Sequence, residues 1–170
     1  MKVLGITGWS GSGKTTLIEA LLPLFCARGL SVSTIKHAHH GFDLDRPGKD
    51  SFRHRGAGAR EVLVASETRW ALLHENAGEV MDFAALLTHL SPVDLVLVEG
   101  FKRTPYPKIE VHRPALGKAP LWPEAPDVFA VASDAPLPGC DRPVLPLAAP
   151  EAIAAFAAVE LGLPIFAQSS

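Results

Sequence analysis

The sequence predicts an α/β protein with three layers, in which a mostly parallel sheet carries helices on both faces. Three observations indicate this fold. Strand patterns and helix patterns alternate along the chain without an internal repeat. The clearest strand patterns are short continuous apolar runs, which are typical of parallel strands buried on both faces. The first such run passes through a glycine-rich loop directly into a helical pattern.

The N-terminal elements are a strand, a loop and a helix in that order. Residues 2–7 are an apolar run that predicts the first strand. Apolar residues at helical spacing predict a helix over residues 14–28, which Gly29 is placed to end. A second strand is expected over residues 31–36. Residues 37–60 are rich in charged residues, histidine and glycine, so we expect an irregular polar segment with one short helix.

The middle of the chain combines three strands with one helix. Residues 61–65 and 70–74 predict two strands, which a turn-prone segment separates. Asp82 is placed to cap a helix that ends at His89. Residues 94–98 predict a buried strand, because a continuous apolar run follows the aspartate at its start.

The C-terminal part is irregular before it returns to regular structure. Six prolines lie between residues 104 and 126. We therefore expect an irregular excursion there, whose one strand, over residues 108–112, lies at an edge of the sheet. A buried strand is expected over residues 128–132. The alanine-rich, periodic residues 149–161 predict a closing helix.

Length and composition restrict the class of protein. The 170 residues fit one domain, which we expect to span residues 1–170. The formal net charge of -2 provides no general basic surface, so nucleic acid is not expected as a partner. Cys26 and Cys140 do not suggest a disulfide framework, and no apolar run approaches the roughly 20 residues that span a bilayer. We therefore expect a cytoplasmic protein that does not insert into a membrane.

The glycine-rich loop after the first strand has the pattern of a phosphate-binding P-loop. Residues 8–15 match G-x-x-x-x-G-K-[ST] without a mismatch. Glycines let backbone N–H groups surround phosphate oxygens, and the helix N-terminus adds about half a positive charge. Lys14 is expected to bind the outer phosphates of a nucleoside triphosphate, and the Thr15 hydroxyl to ligate Mg²⁺. The predicted nucleotide-binding residues of this loop are Gly8, Trp9, Ser10, Gly11, Ser12, Gly13, Lys14, Thr15 and Thr16.

Glu99 and Gly100 follow the apolar strand over residues 94–98. Ligands of parallel α/β sheets bind beyond the carboxyl ends of the strands, so Glu99 is expected to face the phosphates. We predict that Glu99 is the catalytic group, which either holds Mg²⁺ through water or positions an attacking water. The Gly100 N–H is expected to contact the terminal phosphate. A solvent-facing acid that ends a strand is the alternative explanation for Glu99.

Two further carboxylates are candidates for base and metal recognition. Asp134 follows the strand over residues 128–132, where a carboxylate accepts hydrogen bonds from the N1–H and N2–H groups of guanine. The guanine signature N-K-x-D is absent, since Asn76 is the only asparagine. Asp43 is a candidate for a Mg²⁺ contact through water, with turn formation as the alternative.

The polar segment also contains a basic cluster and several histidines. Arginine binds phosphate in a bidentate fashion, so the cluster is a candidate second anion site, with a solvated helix face as the alternative. His37, His39 and His40 invite a metal interpretation. Adjacent histidines point apart in an extended chain, which favours a polar loop over a zinc or nickel site. The candidate second anion site consists of Arg46, Lys49, Arg53 and Arg55.

Together these motifs resemble those of the MobB family, the molybdopterin-guanine dinucleotide biosynthesis adaptor proteins. The resemblance covers most of residues 1–134. It depends on residues 8–16, on Thr34-Ile35-Lys36-His37 with the charged stretch after it, and on Val98-Glu99-Gly100-Phe101-Lys102 leading to Pro107-Lys108-Ile109-Glu110-Val111. The resemblance implies a GTP-binding adaptor with weak GTPase activity and bound Mg²⁺. It also implies a homodimer that assists the nucleotidyltransferase joining GMP to molybdopterin, with the basic segment facing that partner or the molybdopterin phosphate.

Other functions use the same loop. A small-molecule kinase would employ Arg46, Arg53 and Arg55 as a lid over the transferred phosphate. A metal-delivery GTPase would use His37, His39 and His40 as ligands. An interaction module with a vestigial loop would not bind nucleotide, and the intact Lys14 and Thr15 argue against it.

Overall fold

A computed structural model describes residues 1–38, 42–76, 78 and 81–164. Within these residues the eight strands are β1 (Lys2–Thr7), β2 (Val32–Lys36), β3 (Glu61–Ala65), β4 (Trp70–His74), β5 (Leu95–Glu99), β6 (Lys108–His112), β7 (Val128–Ser133) and β8 (Val144–Pro146). The four α-helices of the same described part are α1 (Lys14–Cys26), α2 (Asp50–Gly56), α3 (Phe83–Thr88) and α4 (Pro150–Glu160). A 3-10 helix spans Pro114–Leu116.

The chain divides into two compact units. The first consists of residues 1–37 and the chain from Leu90 onward, and the second of residues 38–89. The sequence predicted one domain over residues 1–170, whereas each of these units has its own sheet. The α/β fold is confirmed, because the first unit is built on a parallel sheet flanked by helices.

The sheet of the first unit has six strands in the order β2-β5-β1-β6-β7-β8, and every neighbouring pair is parallel. All carboxyl ends therefore lie at one edge of the sheet. The strand β1 is central, with β5 on one side and β6 on the other. The loop after β1 is thereby flanked by the segments that follow β5 and β6.

The prediction that residues 108–112 form an edge strand is wrong. The strand β6 lies between β1 and β7, and all five of its residues are buried. The prolines of this region flank the strand at Pro105, Pro107 and Pro114, and none lies within it. Every residue of β6 therefore keeps the N–H group that a central strand must donate.

The other strand predictions are confirmed within one residue at each end, but β8 was missed. Only three residues long and ending in Pro146, β8 lacks the apolar run on which the predictions depended. It pairs with β7 at the edge of the sheet. That position suits a strand that contains proline.

The core of the first unit lies between the sheet and two helices. The helices α1 and α4 pack against each other, and Leu21, Phe25 and Ile153 are fully buried among the side chains of β1, β5, β6 and β7. At about 25 cal/mol per Å² of buried apolar surface, such side chains each stabilise the fold by roughly 1.5–3 kcal/mol. The sheet that carries the glycine loop thus packs on a buried apolar core.

The second unit is small and contains an antiparallel hairpin. The strands β3 and β4 pair from Glu61 opposite His74 to Ala65 opposite Trp70. Asp82 caps α3 by accepting a hydrogen bond from the Ala85 N–H at 2.7 Å, which confirms the predicted cap. Among the helices in the described part of the chain, none is both long enough and apolar enough to cross a membrane.

Candidate functional site

The loop between β1 and α1 has the conformation that a phosphate-binding loop requires. Gly8, Gly11 and Gly13 have φ values of 138°, 79° and 100°, in the region that disfavours any side chain. A Cβ atom on Gly8 would also lie 2.4 Å from the Val111 carbonyl oxygen. Gly13 is the N-cap residue of α1, so the loop ends at a helix N-terminus. Backbone donors and the helix dipole therefore combine at this point to favour an anion.

Two polar side chains of the loop, those of Ser12 and Lys14, are placed where a bound anion would contact them. Ser12 is almost fully buried, and its hydroxyl has no hydrogen-bond partner among the described residues. Lys14 Nζ donates a hydrogen bond to the Trp9 carbonyl oxygen at 2.9 Å. Burial lowers the pKa of Lys14, Lys102 and Lys36 lower it further, and Glu99 opposes them. A buried hydroxyl and a partly desolvated ammonium group suit an oxyanion that would accept from both.

Glu99 lies beside the hydroxyl that was predicted to bind metal. Thr15 Oγ1 donates to the two Glu99 carboxylate oxygens at 3.1 and 3.0 Å. The parallel register, with Ile6 opposite Glu99, aligns the carboxyl end of β5 with that of β1. Lys36 Nζ approaches the same carboxylate at 3.6 Å. Hydroxyl and carboxylate oxygens are the hard ligands that Mg²⁺ prefers, so these residues fit the ion.

A tight turn follows Glu99. Gly100 has a φ of 103°, and a Cβ atom there would lie 2.7 Å from His37 Cβ. Phe101 also has a left-handed conformation, with φ 48°, and its ring centroid is 4.5 Å from that of His37. Lys102 Nζ then lies 4.4 Å from the centroid of the Trp9 ring. The turn thereby brings Lys102, which sequence reasoning did not single out, to the P-loop.

Asp134 is linked to the P-loop through Arg113. Arg113 Nη1 donates to Asp134 Oδ2 at 2.7 Å, and Arg113 Nε donates to the Ser12 carbonyl oxygen at 2.9 Å. Asp134 follows β7 and Arg113 follows β6, so both lie at the carboxyl edge of the sheet. Sequence reasoning missed Arg113, because the contact joins residues that are far apart in the chain.

The remaining candidates lie in the second unit. Asp43 Oδ1 accepts from Arg55 Nη2 at 2.7 Å and from the Asp45 N–H at 3.0 Å. Arg55 also pairs with Asp45 and Glu75, at 3.0 and 2.7 Å. Its predicted role in a second anion site would therefore require carboxylates to be displaced. The other members of that set, Arg46, Lys49 and Arg53, are exposed.

Of the three histidines in the metal interpretation, His37 lies within the described residues. His39 and His40 lie outside the described residues. Within the residues that are described, no group of three or more histidine, cysteine, aspartate or glutamate side chains is arranged to hold a metal ion. His37 belongs to the first unit, where its ring lies against Phe101.

Comparison with known proteins gives a consistent result. The family model of MobB, molybdopterin guanine dinucleotide synthesis protein B, matches residues 3–134. The molybdopterin-guanine dinucleotide biosynthesis adapter protein of Haemophilus influenzae is 50% identical over 137 residues, covering 79% of this chain and 76% of the relative. The adapter protein of the same description from Escherichia coli is 46% identical over 140 residues, covering 79% of each chain.

Solved structures agree with these relatives. The crystal structure of a molybdopterin-guanine biosynthesis protein B matches with a TM-score of 0.73 and 29% identity, covering 94% of this chain and 99% of that one. The crystal structure of a MobB homolog from Bacillus stearothermophilus matches with a TM-score of 0.73 and 25% identity, covering 96% and 100%.

Proposed function

Since this chain belongs to the MobB family, we propose that it is an adapter in molybdopterin guanine dinucleotide biosynthesis that binds GTP with Mg²⁺ and hydrolyses it slowly. The observation that carries the nucleotide part of this proposal is the contact of Thr15 with Glu99 beside a complete P-loop. A nucleotide that binds with Mg²⁺ requires a hydroxyl and a carboxylate near the metal ion, and this contact brings the two groups together.

Each residue of the loop has a distinct part in binding. The N–H groups around Gly11 and Gly13 donate to the phosphates, and Lys14 exchanges its bond to the Trp9 carbonyl for a phosphate oxygen. Thr15 and Glu99 would hold Mg²⁺, which would neutralise phosphate charge. Glu99 also orients water near the terminal phosphate, and the Gly100 N–H contacts that phosphate. Slow hydrolysis is what the resemblance to the MobB family implies.

Asp134 reads the base in this proposal. Its carboxylate accepts from guanine N1–H and N2–H, a pair of donors that adenine lacks. Arg113 positions Asp134 by donating a hydrogen bond from Nη1 to Oδ2, and it also donates from Nε to the Ser12 carbonyl oxygen. The same arginine therefore contacts both the proposed base site and the P-loop. Charge-assisted hydrogen bonds of this kind contribute about 1.5–3 kcal/mol each, which is enough to select guanine.

Partner binding is assigned to the second unit. We propose a homodimer that covers one face of the hairpin, because Leu63, Leu72 and Trp70 are 60%, 41% and 66% exposed there. A two-stranded hairpin is marginally stable alone, so a second copy would supply the missing apolar contacts. The nucleotidyltransferase that couples GMP to molybdopterin is the partner of the adapter, and exposed Arg46, Lys49 and Arg53 suit the molybdopterin phosphate.

Calorimetric titration with non-hydrolysable GTP and ATP analogues in Mg²⁺ tests the proposal. We expect the wild type to prefer the GTP analogue, and Asp134→Ala to lose about tenfold or more in affinity for it while affinity for the ATP analogue is unchanged. Asp141→Ala is the matched control, since Asp141 is an exposed carboxylate paired only with its neighbour Arg142 among the described residues.

The controls also separate the phosphate and base assignments. Lys14→Ala is expected to abolish binding of both analogues, with the far-ultraviolet circular dichroism unchanged. Preference of the wild type for the ATP analogue would contradict the GTP proposal and favour a small-molecule kinase. Equal effects of Asp134→Ala and Asp141→Ala would remove Asp134 from the base site.

A further inference from the structure

Lys102 lies over an aromatic platform that belongs to the P-loop. Its Nζ atom is 4.4 Å from the centroid of the Trp9 ring. The platform is itself fixed, because the Trp9 indole N–H donates to the Ala119 carbonyl oxygen at 2.7 Å. A cation that rests on a fixed ring is restrained in position without losing its charge.

The backbone that delivers Lys102 adopts an unfavourable conformation. Phe101 is the only residue other than glycine with a positive φ among those that the structure describes. Gly100 before it is also left-handed, and contact with His37 leaves no room for a side chain there. Strained backbone conformations of this kind concentrate at ligand sites, where the surrounding structure maintains them. The left-handed backbone at Gly100 and Phe101 turns the chain after Glu99 back to the P-loop.

The site brings together three lysines, Lys14, Lys36 and Lys102, and two acids, Glu99 and the buried Glu110; burial raises the pKa of Glu110, and Lys102 opposes that rise. Lys36 pairs with Glu99 at 3.6 Å, whereas Lys102 forms no ion pair with a carboxylate in the described part of the chain. Lys102 and Lys36 both lower the pKa of Lys14, as expected for ammonium groups that are close together. Like charges held together in this way favour an anionic ligand, which removes the repulsion between them.

The strand order indicates which part of a nucleotide Lys102 would meet. Asp134 lies at the end of β7, and Glu99 at the end of β5, on the opposite side of β1. A nucleotide whose base is at Asp134 and whose phosphates are in the P-loop therefore has its terminal phosphate toward Glu99. Lys102 is three residues beyond Glu99 and is held at the P-loop.

We propose that Lys102 is a second phosphate-binding cation, placed by the left-handed turn at Gly100 and Phe101, and that it makes the site select a triphosphate over a diphosphate. This inference depends on the proposed nucleotide site and deepens it. Lys14 contacts the outer phosphates, among them the β-phosphate that both ligands carry. Lys102 leaves the Trp9 ring for the γ-phosphate, which only the triphosphate has.

The test compares triphosphate and diphosphate affinities in two Lys102 variants. Lys102→Met keeps an apolar side chain on Trp9 and removes the charge, whereas Lys102→Arg keeps the charge. With a non-hydrolysable GTP analogue and GDP in Mg²⁺, we expect Lys102→Met to weaken triphosphate binding about tenfold and diphosphate binding less than about twofold. Lys102→Arg should retain most of the preference. Lys2→Ala is the control, because Lys2 is exposed at the opposite end of β1 and changes the net charge equally.

Inorganic tripolyphosphate and pyrophosphate are titrated in parallel, because they lack a base. Loss of the tripolyphosphate preference in Lys102→Met supports the inference even if the protein does not select guanine. Equal weakening of both ligands, or no change, overturns it and leaves the nucleotide site intact. A wild type that binds neither nucleotide nor inorganic polyphosphate overturns the nucleotide proposal together with this inference.

Discussion

The two units of this protein are stabilised in different ways. The first has a core of fully buried side chains from β1, β5, β6, β7, α1 and α4. In the second, Val62 is the only apolar residue below a tenth exposed among those described. Its best-defined feature is instead polar: Arg55 pairs with Asp43, Asp45 and Glu75. Apolar burial thus supports the proposed nucleotide site, whereas ion pairs organise the unit that is proposed to meet partners.

This difference has a consequence for adapter function. Catalytic and phosphate-binding groups must stay within a fraction of an ångström, which a close-packed core provides. Solvent-exposed ion pairs cost less free energy to rearrange, because water solvates each charge that loses its partner. A unit organised by such pairs and carrying exposed apolar side chains is suited to repacking when a second chain binds.

The largest expected effect comes from the apolar core of the first unit. Phe25 is fully buried, so Phe25→Ala should lower the free energy of unfolding by about 3–5 kcal/mol. Leu44→Ala is the counterpart in the second unit, and it should change stability by less than about 0.5 kcal/mol because Leu44 is 73% exposed. Denaturant unfolding measures both. Similar losses in the two variants would contradict the contrast between the units.

A smaller and local effect is expected at the ion pairs of the second unit. Arg55→Met leaves three carboxylates close together without their cation. Amide hydrogen exchange should accelerate by about tenfold in α2 and near Glu75, while β1 and β5 keep their protection. Arg53→Met is the control, because Arg53 is exposed and makes only a 3.7 Å contact with Asp50 among the described residues. Equal acceleration in β1 would show that the units do not unfold independently.

The smallest effect concerns a polar contact of the first unit. Hydrogen bonds from the Ser31 hydroxyl and N–H, at 2.6 and 2.8 Å, hold the pKa of Asp94 below its usual range. The stabilisation is complete above the pKa of unfolded aspartate, about 3.9, and is lost as the pH falls through the lower folded pKa. Ser31→Ala should therefore be less stable than wild type at pH 7, by an amount that shrinks in more acidic solution.

Denaturant unfolding at a series of pH values checks this prediction. Ser91→Ala, which alters an exposed serine of the first unit, is the control and should show no such trend. A difference between Ser31→Ala and wild type that stays constant down to the lowest accessible pH would contradict the assignment to Asp94.

Much of the fold followed from local patterns in the sequence. The helix α1, the hairpin over residues 61–65 and 70–74, and the Asp82 cap depend on neighbours in the chain, and the structure confirms them. The loop before α1 has the left-handed glycines that a P-loop requires. The position of β6 was wrong because proline content was counted over a region and not within the strand. The strand β8 was missed because three residues do not establish a period.

Less of the candidate site could be predicted from local patterns in the sequence. Glu99 was chosen for its place at a strand end, and it lies beside Thr15. Lys102 was named only as part of the family motif and was assigned no role, because its position depends on left-handed backbone at Phe101, which no residue pattern indicates. Arg113 was not found either, since its two partners, Ser12 and Asp134, come from different loops. Contacts of this kind are set by topology and not by local sequence.

The central position of β1 also determines when the proposed nucleotide site can assemble during synthesis. Its neighbours are β5 and β6, so Lys2 pairs with Leu95 and Gly5 pairs with Lys108. After β1 is made, it must therefore wait for roughly a hundred further residues, made at about 5–20 per second. Pairings so distant in sequence form slowly, and the site cannot assemble on a shorter nascent chain. Nucleotide binding would then mark a chain whose central strands are complete.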